Sequence, residues 1–163
     1  MKKFLCIALL FLLVGCTAKS NIKPVTRNIA FTAEMTYYNE YYEMSVEIFK
    51  NGNAKISLTH PEELNGLTFN IKNNSLEGEF NGIKIETGDS FKTAAVNFLY
   101  AAFKDENQTV YKNDNRFFTK GKCDGGEYTM YLSGAGLPLK ICDSADRFEI
   151  IIKNTTIHKE KQP

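Results

Sequence analysis

The chain has 163 residues, of which 43% are hydrophobic and 24% charged, with a formal net charge of +1. That length suits one domain with a real core, and the balance of apolar to charged residues argues against wholesale disorder. Charge is near neutral and no basic run is longer than Lys120-Gly121-Lys122, which argues against a nucleic-acid partner.

Residues 1–15 read as an export signal. Lys2 and Lys3 form a positive start, and Phe4 to Val14 is an unbroken apolar run, of signal length and too short to span a bilayer as a helix. The run ends in Leu13-Val14-Gly15-Cys16. This resembles the bacterial lipobox, in which a Cys after a small residue takes diacylglycerol and becomes the first residue of the mature protein. Cys16 is therefore the expected lipidation site. The expected location is the outer face of the cell membrane, or the outer membrane where the cell has one. A buried methylene contributes about 0.8 kcal/mol, so two or three acyl chains hold firmly where one does not. Residues 16–28 are polar, contain Pro24 and read as a lipidated tether.

The domain is expected over 29–153. Ile29, Phe31, Ala33, Met35 and Tyr37 alternate with polar residues, as do Tyr42, Met44, Val46 and Ile48. Period-two alternation marks strands with one apolar and one wet face. Asn51-Gly52 is a hairpin turn, followed by a strand with Ala54, Ile56 and Leu58 that His60-Pro61 stops. Leu67, Phe69 and Ile71 follow, then a turn at Asn73-Asn74, then Leu76 and Phe80, then Ile83 and Ile85. From a cap at Asp89 or Ser90, the residues Phe91, Ala94, Ala95, Phe98, Leu99, Ala102 and Phe103 recur at helical spacing, predicting a helix over about 89–104. Four more strands carry Phe117 and Phe118; Tyr128, Met130 and Leu132; Leu137, Leu139 and Ile141; and Phe148, Ile150 and Ile152. Turns at Asp124-Gly125 and 133–136 separate them. Residues 154–163 read as a polar tail.

The fold expected is mainly β (α+β). Ten strands of about six residues make an apolar face of roughly 900 Å², whereas a helix of about 15 residues covers roughly 220 Å². The antiparallel sheet must then curve strongly, as an unclosed barrel with the helix across its mouth, or close with side chains filling the inside. An uncovered apolar groove would be a ligand or partner site. Its candidate lining is Met35, Met44, Val46, Ile56, Leu58, Phe69, Phe91 and Phe98.

Cys6 leaves with the signal, so Cys123 and Cys142 remain in an exported domain, and an even pair there suggests a disulfide. Against it, the two sit on strands that flank a third. Next-nearest strands lie about 9.6 Å apart, while bridged Cα atoms come within about 7 Å.

The order of elements resembles the LolA/LolB-type lipoprotein carrier superfamily, with its LppX-like and RseB-like lipoproteins. The resembling stretches are Phe31 to Met35, Ile56 to Pro61 with Leu64 to Phe69, and Gly136 to Ile141, within about 29–153. The resemblance implies an unclosed barrel with helices in its mouth and an apolar cavity for lipid or acyl chains. This chain departs from that pattern in two places. It has a short tether where such carriers open with a long helix, and it has no long helical insertion after the main helix.

Nothing in the sequence points to catalysis or to a cofactor. Hydrolase, phosphate-loop and dinucleotide motifs are absent. His60 precedes a proline and His158 lies in the tail, and neither has positioned partners of the kind a catalytic imidazole needs. Two Cys without a nearby His make a poor metal site. The expectation is a non-enzymatic lipoprotein that binds a lipid or acyl chain as carrier or sensor. The alternative is an anchored module with a filled core that meets an envelope protein.

Cys16→Ala is expected to yield an uncleaved or unacylated product. Intact-mass spectrometry of membrane fractions checks this, and an acylated mass on the variant would remove the lipobox from the account.

Overall fold

A computed structural model describes residues 18–37, 39–87, 91–123, 126–145 and 147–158, with the backbone alone for 91–94. The expected signal, Cys16, the helix cap at 88–90, the turn at 124–125 and the side chain of Phe91 lie outside the described residues. The strands are β1 (Ala18–Lys19), β2 (Ile29–Tyr37), β3 (Glu40–Ile48), β4 (Ala54–His60), β5 (Leu67–Lys72), β6 (Ser75–Phe80) and β7 (Ile83–Ile85). The helix α1 (Phe91–Lys104) follows, then β8 (Tyr111–Asn113), β9 (Arg116–Cys123), β10 (Gly126–Leu132), β11 (Pro138–Asp143) and β12 (Phe148–Ile157).

All twelve strands form one antiparallel sheet in the order β1-β8-β9-β10-β11-β12-β2-β3-β4-β5-β6-β7. The sheet is not closed into a barrel: β1 and β7 are its edges. The β12–β2 pairing joins the two meanders in the middle. Alternation sorts the residues as the sequence predicts. Phe31, Val46, Ile56 and Phe69 stand in register across β2 to β5, and Ile152, Ala33, Met44 and Leu58 form the next row. All are buried. Asn73 and Asn74 both have positive φ, 51° and 65°, as a tight hairpin turn requires.

Four expectations change. The two strands beyond the expected ten are β1 and β8, which pair with each other. Residues 18–28 are docked rather than free: Ser20 N donates to Val110 O at 2.8 Å, Val25 N donates to Gly136 O at 2.9 Å, and Thr26 is buried. A Cβ on Gly136 would stand 2.1 Å from Lys23 O, so this close approach needs glycine. The tail is shorter than expected, because β12 runs on to Ile157. The Leu137, Leu139 and Ile141 alternation is broken by a register shift opposite Tyr131 and Leu132. Pro138 turns inward and Leu139 is exposed, because the extra residue of a bulge reverses which side the chain faces.

That register also decides the cysteine pair. Cys123 is opposite Gly126 on β10, and Cys142 is opposite Thr129. Gly126 and Thr129 are three residues apart, so the two thiols lie on opposite faces of the sheet. No bridge joins them.

The β11–β12 turn is held by a buried carboxylate. Asp143 Oδ1 accepts from Arg147 N at 2.6 Å and from Phe148 N at 3.0 Å, and Oδ2 accepts from Arg147 Nε at 2.8 Å. Burial alone pushes this carboxyl up, but the bonds from Phe148 and Arg147 and the guanidinium charge outweigh it, so its pKa lies below the ordinary value. A depressed folded pKa gives stability that is present above the unfolded value of about 3.9 and is lost as pH falls through the folded one. Asp143→Ala is expected to cost about 2–3 kcal/mol at neutral pH by stranding two backbone donors. In urea titrations its deficit against the parent should shrink toward about pH 3, below the unfolded value, and a deficit independent of pH would refute the assignment.

Candidate apolar site under the helix

α1 lies across the concave face, fixed by aromatic contacts and by the capping of its carboxyl end. Phe98 stacks on Phe148 with centroids 4.9 Å apart and meets Tyr128 edge-on at 6.0 Å; Phe103 stacks on Phe31 at 5.3 Å. The Tyr128 hydroxyl donates to Ala101 O at 3.2 Å, and the Tyr100 hydroxyl donates to Gly52 O at 2.9 Å. Tyr128 leans over Gly121 on β9, where a Cβ would be 2.3 Å from the phenol ring. The last helical carbonyls need partners. Gln108 Nε2 donates to Ala102 O at 2.7 Å, and Arg27 donates to Phe103 O and, at 2.7 Å, to Lys104 O. Arg27 Nε also lies 2.9 Å from Glu106 Oε1.

Near the amino-terminal half of the helix, Met35, Tyr42, Met44, Ile56, Leu58, Ala95 and Val96 wall a pocket with apolar atoms. Its free volume is about 10 Å³, at the lower limit for one water. Of the candidate residues, Met35, Met44, Ile56 and Leu58 line this pocket. Val46, Phe69 and Phe98 are buried elsewhere in the same core. The sequence reading missed Tyr42 and Val96 as lining; both are visible in the apolar periodicity, but only the helix position selects them. The Tyr42 hydroxyl donates to a Glu40 oxygen. Burial first, and then this bond, raises its pKa well above the usual tyrosine value, so it stays a neutral donor. A larger groove of about 370 Å³ lies over the outer face, where β12 bulges between Lys153 and Thr156. Thr32, Ser45, Glu47, Lys55 and Ser57 help line it, so polar side chains stand among its apolar atoms.

His60 packs beside Tyr41, and His158 Nε2 is 3.7 Å from Glu47 Oε1. Among the described residues no His, Cys, Asp and Glu group is placed to hold a metal, and no helix is long and apolar enough to cross a membrane.

No family model and no curated protein sequence matches this chain. Solved structures do share its outline. A conserved protein from Thermus thermophilus, described as uncharacterized, is 12% identical with a TM-score of 0.48, over 82% of this chain and 80% of that one. A LolA superfamily protein from Nitrosomonas europaea is 8% identical with a TM-score of 0.45, over 85% of this chain and 90% of that one. Neither likeness assigns a residue role.

Phe98 is 1% exposed, packed against the rings of Phe148 and Tyr128. Phe98→Ala is expected to cost about 3–5 kcal/mol, the range for a large buried ring removed without collapse. Chemical denaturation checks this. A cost well below that range would mean that Phe98 borders open space instead of packed core.

Proposed function

We propose that the protein is a bacterial lipoprotein, acylated at Cys16 and held at the outer face of a membrane. In this reading it binds an acyl chain or similar apolar ligand between α1 and the concave face of its sheet, as carrier or sensor and without catalysis. The observation that carries the reading is the apolar pocket against Ala95 and Val96, beneath a helix whose other end is clamped by Arg27 and Gln108. At about 10 Å³ the pocket is nearly shut. A ligand therefore enters only if the amino-terminal half of α1 lifts while the clamped end stays. Burial of the ligand, at about 0.8 kcal/mol per methylene, offsets the packing that α1 gives up as it lifts.

The small volume also favours a second reading, a filled core whose partner is an envelope protein. The edge strand β7 would then receive it by strand addition, since Ile83 is 71% and Ile85 40% exposed there.

Two measurements separate the readings. Organic extracts of protein purified from membranes should contain a stoichiometric lipid. The melting temperature should also rise with the concentration of palmitate or a monoacylglycerol, and Ala95→Leu, which fills the pocket, should shrink that rise. No extracted lipid and no shift in the parent protein would replace the ligand reading with the second one.

A further inference from the structure

One part of the outer face is not simply polar. By register, Lys19 on β1 is opposite Tyr111 on β8, Tyr111 is opposite Phe118 on β9, Phe118 is opposite Tyr131 on β10, and Tyr131 is opposite Lys140 on β11. The three rings are half-buried and adjoin one another, with centroids 5.8 and 6.3 Å apart. Arg116, Lys120 and Lys122 alternate onto the same side of β9 as Phe118, and the Lys120 ammonium stands 5.8 Å from the Phe118 ring. The other side of β9, where Thr119 is buried, is the one that faces α1. On the outer face of β1 and β8 to β10 four basic residues, Lys19, Arg116, Lys120 and Lys122, stand against one acidic residue, Glu127, which pairs with Lys122 at 2.7 Å. The chain as a whole is nearly balanced, so positive charge is concentrated here.

The amino terminus leaves from this same place. Ala18 pairs with Lys112 on β8, and Cys16 is two residues earlier, within about 7 Å of extended chain. β1 runs antiparallel to β8, so its amino-terminal end is the one nearer Asn113, which is opposite Arg116.

We propose that the outer face of β1 and β8 to β10 is a docking surface for an anionic lipid bilayer. The inference rests on the reading of Cys16 as lipidated. Aromatic rings with one polar edge settle at headgroup level, and clustered Lys and Arg are drawn to anionic headgroups. A link this short keeps the patch at the surface, so weak contacts suffice. The domain then lies on the membrane through β8–β10 in one orientation.

The chain contains no tryptophan, so one introduced indole reports alone. The full-length acylated protein would carry Phe118→Trp or, as a second reporter in the same row, Tyr131→Trp. Thr68→Trp, on the outer side of distant β5, is the control. Each is placed in vesicles of phosphatidylglycerol and phosphatidylcholine with brominated acyl chains, and acylation of Cys16 is read by mass on the same samples. The expected result is several-fold stronger quenching at 118 and 131 than at 68. The difference should be lost in pure phosphatidylcholine or at about 1 M salt, where screening acts within about 3 Å. Acylated protein with equal or no quenching at the three positions overturns the docking surface and leaves the anchor standing. Quenching unchanged in neutral vesicles overturns the electrostatic docking. Capture of an acidic protein without quenching reassigns the patch to a protein partner and overturns the proposal. An unacylated Cys16 overturns the anchor, and the docking with it.

Discussion

A helix laid over a sheet buries its own carbonyl end, and those carbonyls need donors where water has little access. In α1 the donors come from outside the helix. Arg27, in the segment between β1 and β2, places a cation at the negative end of the helix dipole and binds two carbonyls. Gln108, in the connection to β8, takes a third carbonyl while its Oε1 accepts from the Thr119 hydroxyl at 2.9 Å. Thr119 is fully buried, so without Gln108 that hydroxyl would be stranded beneath the helix. One cluster thus satisfies the helix end and the buried hydroxyl of Thr119 in the middle of β9. It also ties the amino-terminal segment to both. The curvature of the sheet, the seat of the helix and the docking of residues 18–28 all meet there.

The clamp divides the helix into unequal halves. Toward Phe103 it is held by hydrogen bonds and ring stacking. Toward Ala95 and Val96 it meets Met35, Met44 and Leu58, flexible or aliphatic side chains that repack at low cost. Methionine around a space too small for a ligand fits a site that opens when occupied, because its unbranched chain adjusts where a β-branched one does not.

The long strands were legible because nine-residue alternation such as Ile29–Tyr37 has one reading. The turn at Asn73-Asn74 and the extent of the helix stripe were legible for similarly local reasons. What escaped was either too short or too distant. The strand β1, of two residues, carries no period, and it exists because β8 offers it an edge. Arg27 looks like an ordinary polar residue, because the carbonyls it binds lie 76 and 77 residues away. The bulge at Leu139 leaves no local mark in an alternating run, yet it reverses the predicted face of the residues before it. In the candidate site, four lining residues followed from strand alternation. Tyr42 and Val96 depend on where the helix settles, which tertiary contacts decide.

Reach distinguishes a carrier from a sensor. A lipoprotein that ferries cargo between membranes must release its own anchor or have a tether long enough to cross the gap. Here residues 16–28 read as a short tether, but from Ala18 onward that segment is paired, docked and partly buried. With acylation at Cys16, the link left is about two residues, roughly 7 Å, far less than the roughly 30 Å of a bilayer core. A domain held that closely exchanges ligand only with the leaflet beneath it. Under the proposed acyl-ligand reading, occupancy would follow the abundance of free acyl chains or lysolipids in that leaflet, and lifting of the amino-terminal half of α1 would be the readable change. The anchor geometry therefore favours the sensor over the carrier within the same apolar-ligand reading.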